Sequence, residues 1–447
     1  MAESANLLVG NGRVITHDDG QPFLENGCIA IQDGLIAAVG PTAEIVPANP
    51  DARFLDAQGR IIMPGLINAH THLYSAFARG MALKDDAPGN FMQILERLWW
   101  RLDKALTLDD VYWSAMAGMV ECIRNGVTTV FDHHSSPHAV RVSLFRIAEA
   151  ARQTGLRACL CYEVSDRDGA EIATQGIEEN RAFLETCIRR PESLIRGLFG
   201  LHASFTLGDA TLAQCREAAA DLGAGFHVHT AEALSDVDHC LREHNIGVVE
   251  RWRQRGILGP HTLAAHCVHV SEREIDLLRE SKTAVVHNPQ SNMANAVGCA
   301  PVLEMMRRGT RVGLGTDGYT ADMFESMKAA SLLQKHHSGD PRAAWSEPPL
   351  MLFRENSGLA SEHFGQPVGT LTPGAAADII LVDYDPPTPI DAANLSGHIF
   401  FGLTGRAVST TIVGGRILMH NRKLLTIDES EVMAHARAAA AEVWKRF

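Results

Sequence analysis

The sequence predicts an α/β protein: a (β/α)8 barrel accompanied by a small β-sandwich domain that both chain ends build together. Three observations lead there. Residues 61–365 alternate short apolar strands with helical segments eight times, without a break in composition. Residues 1–60 and 366–447 share a different texture, short apolar runs broken by turn dipeptides, and neither piece can bury a face alone. Nearly every strand of the middle segment ends in a residue able to do chemistry, and barrel active sites form at the C-terminal ends of strands.

In chain order, "NLLVGNGRVIT", "GCIAIQDGLIAAVG" and "ARFLDAQGRIIM" read as strands with Asn-Gly, Asp-Gly and Gln-Gly turns. The barrel strands follow as "MPGLINA", "VTTVFD", "LRACLCYE", "RGLFGLHA", "GFHVHT", "TLAAHC", "TAVVHN" and "RVGLGTD". Helical patterns such as "DVYWSAMAGMVECIRNG", "SLFRIAEAARQTG" and "PVLEMMRRG" separate them. An open doubly wound sheet is the alternative, but eight consecutive units favour closure. After "PVGTLTPGAAA" the strands "DIILVDYD" and "TTIVGGRIL" return to the β-domain, and a terminal helix ends the chain.

Composition sets outer bounds. With 46% hydrophobic and 21% charged residues the chain is ordinary globular material, and a net charge of −13 argues against nucleic acid or an anionic membrane as partner. No apolar run approaches the roughly 18 residues of a membrane helix. "MAESANLLVG" carries Glu3, no basic residue and no long apolar run, unlike a secretory signal. The nine cysteines are scattered, odd in number and form no C-x-x-C, which suits reduced thiols in the cytoplasm.

The strand-end residues are His70 and His72, Asp132, Glu163, His202, His229, His266, His287 and Asp317. His70 and His72 alternate along "IIMPGLINAHTHL" and so face the same side of their strand. Two histidines alone are as readily structural as functional. With His229 on strand five and Asp317 on strand eight they make three imidazoles and a carboxylate, leaving a position for water, as a catalytic divalent ion requires. Zinc, iron(II) and manganese(II) all suit that set, with zinc favoured.

"MPGLINAHTHL", "HVHTAE", "AHCVH", "VVHNPQSNM" and "LGTDG", in that order, resemble the amidohydrolase superfamily, and within it the cytosine deaminase-like aminohydrolases of the ATZ/TRZ type. That group holds guanine, 8-oxoguanine, S-adenosylhomocysteine and chlorotriazine-type enzymes. "GTLTPGAAADIILVD" is similar to the point where such chains leave the barrel, so the resemblance covers almost the whole chain. "TTVFDHHSSP", "GLHASFT" and "HNPQSNMANAVG" most resemble an aminohydrolase found beside selenium-dependent purine-catabolism genes. The resemblance implies hydrolytic deamination of a nitrogen heterocycle, purine- or pterin-like, with release of ammonia. Two-metal members bridge their ions with a strand-four lysine. This chain has no lysine between Lys104 and Lys282, and its strand four ends in His202, so one ion is expected. By the family pattern Asp317 both ligates the ion and accepts a proton from its water, Glu232 passes a proton to a ring nitrogen, and His266 hydrogen-bonds the attacking oxygen. His266 is preferred to His269 because it ends the strand, and His227 lies one pleat deeper than His229.

For substrate contact the rim offers His202, then His133 and Asn292, with Glu163; loop capping is the alternative for each. His134 and Ser291 share those loops. The long loop after strand one carries Phe77, Phe91, Trp99 and Trp100, which either stack on a planar ring as a lid or pack helix to barrel. Exposed aromatics there leave a homo-oligomer open. "GLGTDG" matches G-x-G-x-x-G at Gly313, Gly315 and Gly318, but it lies on the last strand with no following βαβ unit, so no dinucleotide site is expected. The competing activities are hydrolysis of a cyclic amide or urea bond, or of an aryl chloride, by the same activated water. A non-catalytic scaffold would be expected to have lost a ligand or Glu232, and every one is present.

Overall fold

The computed structural model describes residues 6–18 and 20–447, so Glu3 and the rest of the first five residues lie outside it. The chain begins with β1 (Leu7–Ile15), β2 (Phe23–Gln32), β3 (Leu35–Pro41), β4 (Arg53–Asp56) and β5 (Ile61–Pro64). Asp33-Gly34 and Gln58-Gly59 turn in the left-handed region, as their sequences predict. Asn11-Gly12 does not turn. β1 runs straight through it, and the left-handed Asn11 (φ 58°) marks a shift in register against β2, a bulge in place of a hairpin.

Eight strand positions then build the barrel: β6 (Leu66–Thr71), β7 (Val127–His134), β8 (Arg157–Tyr162), β9 with β10 (Ile195–Gly197 and Phe199–Leu201), β11 (Phe226–Thr230), β12 (Leu263–His266), β13 (Ala284–His287) and β14 (Val312–Leu314). They pair in parallel and, apart from the half-buried Arg196 and Gly197 of β9, are buried along their lengths, which explains their near-continuous apolar sequence. The fourth position is split at Leu198, where the chain changes partner from β8 to β11. The two arcs meet at two seams. At one, Val164 N donates to Gly200 O and His202 N to Val164 O. At the other, the amides of Thr316 and Asp317 both donate to the His70 carbonyl at 3.0 Å.

A buried asparagine reinforces each seam. Asn180 accepts from the amides of Tyr162 and Gly200, and Asn356 donates to the carbonyls of Ile67 and Leu314. The apparent dinucleotide fingerprint has a packing explanation here. A Cβ on Gly315 would stand 2.7 Å from the His70 carbonyl, and one on Gly313 2.5 Å from the Asn356 side chain.

β15 (Ile379–Val382), β16 (Val408–Val413), β17 (Arg416–His420) and β18 (Lys423–Leu424) join β1–β5 in one nine-stranded sheet, its apolar side closing over Val9, Ile29, Ile62, Ile379 and Ile412. The link between the chain ends is the antiparallel pairing of β15 with β5. Residues 61–64, read from sequence as the start of the barrel, therefore belong to the end sheet, and the barrel starts at Leu66. The terminal helix Glu429–Arg446 returns to the barrel helix Leu108–Arg124, where Arg124 holds Glu429. All nine cysteines are free, seven of them buried, and among the described residues no helix is long and apolar enough to cross a membrane.

A buried ion pair fastens sheet to barrel. Arg157, at the start of β8, meets Asp378 through two hydrogen bonds of 2.9 and 3.0 Å with both side chains buried, and Gly414 N donates to the same carboxylate. Removing one partner strands the other charge. Arg157→Ala is expected to lower stability by about 3–5 kcal/mol, measured as a fall in the denaturant midpoint.

Candidate metal centre and cleft

Five residues from four strand ends converge on one point at the top of the barrel. His72 Nε2 lies 3.3 Å from His229 Nε2 and 3.1 Å from Asp317 Oδ1, and His70 Nε2 lies 3.7 Å from the same oxygen. The ring nitrogens of His70, His72 and His229 fall within 4.8 Å of one another, as do the polar atoms of His70, His266 and Asp317. Hydrogen bonds behind the rings decide which nitrogens face this point. His72 Nδ1 donates to the His133 carbonyl at 2.5 Å, and His229 Nδ1 to the His202 carbonyl at 3.1 Å, so each ring turns its Nε2 to the centre. His70 Nδ1 meets His227 Nε2 at 2.9 Å, which gives the deeper His227 a supporting place.

These residues fit a divalent cation. The Nε2 atoms of His70 and His266 are buried without a hydrogen-bond partner, the condition of a ligand or a reacting group. Burial pushes His70 down to about 3 and His229 well below its ordinary value, keeping their lone pairs free of protons. His72 goes the other way, to about 9, because burial is outweighed by Asp317 together with Glu163 and Asp132, so a cation must displace a proton from its Nε2. Asp317 itself is held well below the carboxylate range, the histidines outweighing burial there too. A further trio, His133, Glu163 and His229, is also close, but His229 Nε2 already faces His72.

Next to the centre stand Glu232 and His266. Glu232 Oε2 lies 3.5 Å from His266 Nε2, and His266 Nε2 3.9 Å from Asp317 Oδ2. Asn292 accepts from His266 Nδ1 at 2.8 Å, fixing the ring. Ser291 donates to Asp317, and Asn295 links Ser291 to Glu232. Burial above all, opposed by His266 and aided by Asp317, raises the Glu232 carboxyl above its ordinary value. His266 (φ 72°) and Asp317 (φ 55°) both adopt left-handed backbone where they leave their strands, a strain held by the surrounding pairing. His269 turns away and donates to the Val297 carbonyl.

A narrow cleft opens over the centre, lined by His72, Trp99, His229, Glu232 and Asp317 among others. Of the four rim residues read from sequence as substrate contacts, Glu163 and His202 line it. His133 and Asn292 do not. Both are fully buried, His133 with Nε2 held by the carbonyls of Leu201 and His227, and Asn292 behind His266. Of the aromatics in the strand-one loop, Phe91, Trp99 and Trp100 line the cleft, while Phe77 packs in the core.

Sequence reasoning missed Arg167, Asp103 and Asn295 in the lining. Arg167 lies four residues beyond Glu163 and pairs with it at 3.2 Å, a spacing that marked it as a neighbour. Asp103 reaches Arg167 across more than sixty residues of chain, which no local pattern signals.

The amidohydrolase family model matches residues 61–418, and a model of the bacterial imidazolonepropionase-like composite domain matches residues 27–52. A 5-methylthioadenosine/S-adenosylhomocysteine deaminase of Syntrophobacter fumaroxidans is 35% identical, over 98% of this chain and 98% of that protein. A 5'-deoxyadenosine deaminase of Methanosarcina mazei is 33% identical, over 99% of both chains. A crystal structure of an adenosine deaminase from Xanthomonas campestris with bound zinc superposes with a TM-score of 0.86 at 25% identity, covering 98% of both chains.

If His227 orients His70 for a cation, His227→Ala should weaken metal affinity by about 10- to 100-fold, read by competition with a chelator. His229→Ala should leave the purified protein without bound metal in elemental analysis. Full metal content in that variant would dissolve the proposed centre.

Proposed function

The chain belongs to the amidohydrolase family, and from that premise we propose that it releases ammonia hydrolytically from a purine-like heterocycle, with one zinc ion held by His70, His72, His229 and Asp317. The reading is supported most by Glu232 and His266 standing side by side at the rim of the same cation site, above a cleft walled by aromatic rings. The deaminase names of relatives that align over almost the whole chain support it further. Free, mostly buried cysteines support a cytoplasmic setting.

A divalent ion bound there lowers the pKa of a coordinated water toward about 7. The protein's side chains handle the remaining proton traffic. Asp317 is ionised and has its Oδ2 oriented by the Ser291 hydroxyl, so it can take the proton released as water attacks the ring carbon. Glu232, with its carboxyl pushed upward, carries a proton at neutral pH more readily than an exposed glutamate and delivers it to the adjacent ring nitrogen. That transfer keeps negative charge from building on the ring as the carbon becomes tetrahedral. His266, fixed through Nδ1 by Asn292, aims Nε2 at the new oxygen and opposes the charge developing there. The carbon–oxygen bond forms, Asp317 hands its proton to the exocyclic amino group, the carbon–nitrogen bond breaks to release ammonia, and the proton of the new hydroxyl returns to Glu232 as the carbonyl forms. Glu163 and His202 line the same cleft beside His229, which supports a role for them in contacting the rest of the ring.

Ammonia release should be detected with a 2-amino- or 6-aminopurine base or nucleoside. Ring opening without ammonia would instead support cleavage of a cyclic amide. Glu232→Gln should lower kcat by about 10²- to 10⁴-fold with metal content unchanged. A fully active variant would remove Glu232 from the reaction.

A further inference from the structure

One short helix reaches all three residues that handle protons or charge in the proposed reaction. The helix Pro289–Ala294 follows β13, and Asn295 caps its C-terminal end. Asn292 accepts from His266 Nδ1, Ser291 donates to Asp317 Oδ2, and Asn295 Nδ2 donates to Glu232 Oε1 at 3.2 Å. Residues four apart lie on one face of a helical turn, so Ser291 and Asn295 stand together, with Asn295 Nδ2 3.2 Å from Ser291 Oγ. Asn295 also lines the cleft, as Glu232 does.

The direction of each hydrogen bond in this chain follows from donor and acceptor chemistry. A carboxylate only accepts, so the single hydroxyl hydrogen of Ser291 goes to Asp317 Oδ2. Ser291 Oγ then has only lone pairs left for Asn295, which must answer with its amide nitrogen. That nitrogen carries two hydrogens, and the second goes to Glu232 Oε1. One amide thus fixes the hydroxyl that orients Asp317 and one oxygen of Glu232. With Oε1 engaged as an acceptor, a proton on Glu232 belongs on Oε2, because the carbonyl oxygen of a carboxylic acid accepts better than its hydroxyl oxygen. Oε2 is the oxygen that faces His266 Nε2, at 3.5 Å.

Resting on the deaminase reading, we propose that Asn295 is a positioning residue that decides which oxygen of Glu232 acts as the acid. By holding Oε1 it keeps the proton on Oε2, aimed at the reacting centre. The proton passes from Oε2 to the ring nitrogen while Oε1 stays bound to Asn295, and the new hydroxyl returns a proton to Oε2 as the carbonyl forms. Without the amide the carboxyl group turns about its last bond, and the acid is in place for fewer of the bound substrates.

The test compares ammonia release from aminopurine bases and nucleosides by the zinc-loaded full chain with release by Asn295→Leu and Asn295→Ala, neither of which can donate. Each substitution is made also in the Glu232→Gln background. In both variants kcat should fall about tenfold, with KM and zinc content unchanged. Once Glu232 is replaced, the same substitutions should change kcat by less than about twofold, because no acid remains to be positioned. A merely structural role would lower both backgrounds alike. Crystals of the zinc-loaded enzyme should keep Asn295 Nδ2 within hydrogen-bond distance of Glu232, and crystals of Asn295→Leu should show the Glu232 carboxyl turned from His266. Full kcat in both variants, a rise in KM alone, an equal loss in both backgrounds, or an unmoved Glu232 overturns the proposal. Failure of every aminopurine to release ammonia from the unsubstituted enzyme would count against the deaminase reading instead, and the two crystals would still decide whether Asn295 holds Glu232.

Discussion

Two hydrogen bonds to one carbonyl oxygen hold the molecule's chemistry together. When Thr316 and Asp317 donate their amides to His70 O, the eighth strand is tied to the first and the barrel closes. The same contact brings the Asp317 carboxylate beside His70 and His72, residues nearly 250 positions away in the chain. Little slack is tolerated at this seam. Gly315 lets the strands approach, Asn68 and Thr316 bond through their side chains at 2.7 Å, and Asn356 spans both strands. Without closure the strand-one histidines would face a carboxylate too distant to share a cation with them.

Closure gathers imidazoles and carboxylates into a space from which water is largely excluded, and burial of so many ionisable groups is unfavourable unless each is answered. The backbone supplies much of the answer. Carbonyls of one strand receive the Nδ1 hydrogen of a histidine on another, His133 for His72 and His202 for His229, so each tautomer is imposed by the neighbouring strand end. Among the buried atoms left unanswered are the inward Nε2 atoms of His70 and His266, where a cation and a reacting oxygen are proposed to sit. The left-handed backbone at His266 and Asp317 belongs to the same arrangement, since each residue must leave its strand abruptly to aim inward.

The cleft has two unlike ends. Near the proposed metal centre, histidine lone pairs and the Asp317 carboxylate suit a cation and the polar groups of a reaction. The far end is closed by a segment from the strand-one loop, whose Asp103 docks on Arg167 and whose Trp100 stacks over the same guanidinium at 5.3 Å. One arginine thus organises the loop, the strand-three carboxylate Glu163 and the aromatic cover.

The sequence by itself determined the fold class and where chemistry lies on it. Strand parity put His70 and His72 on one side, and the barrel rule put His229, His266 and Asp317 on the same rim, because both rest on periodicities within a few residues of chain. Only the tertiary structure decided what depends on pairing between distant segments. Ile61–Pro64 joined the end sheet because β15 was its better partner, a choice invisible in an apolar run that suits either sheet. His133 and Asn292 ended behind the cleft and Glu163 and His202 within it, although all four sit at strand ends or in the loops that follow, because depth is set by which neighbouring strand covers a side chain. Asp103 and Arg167 met across the barrel mouth for the same reason: ion pairs obey distance in space, and local sequence carries no record of it.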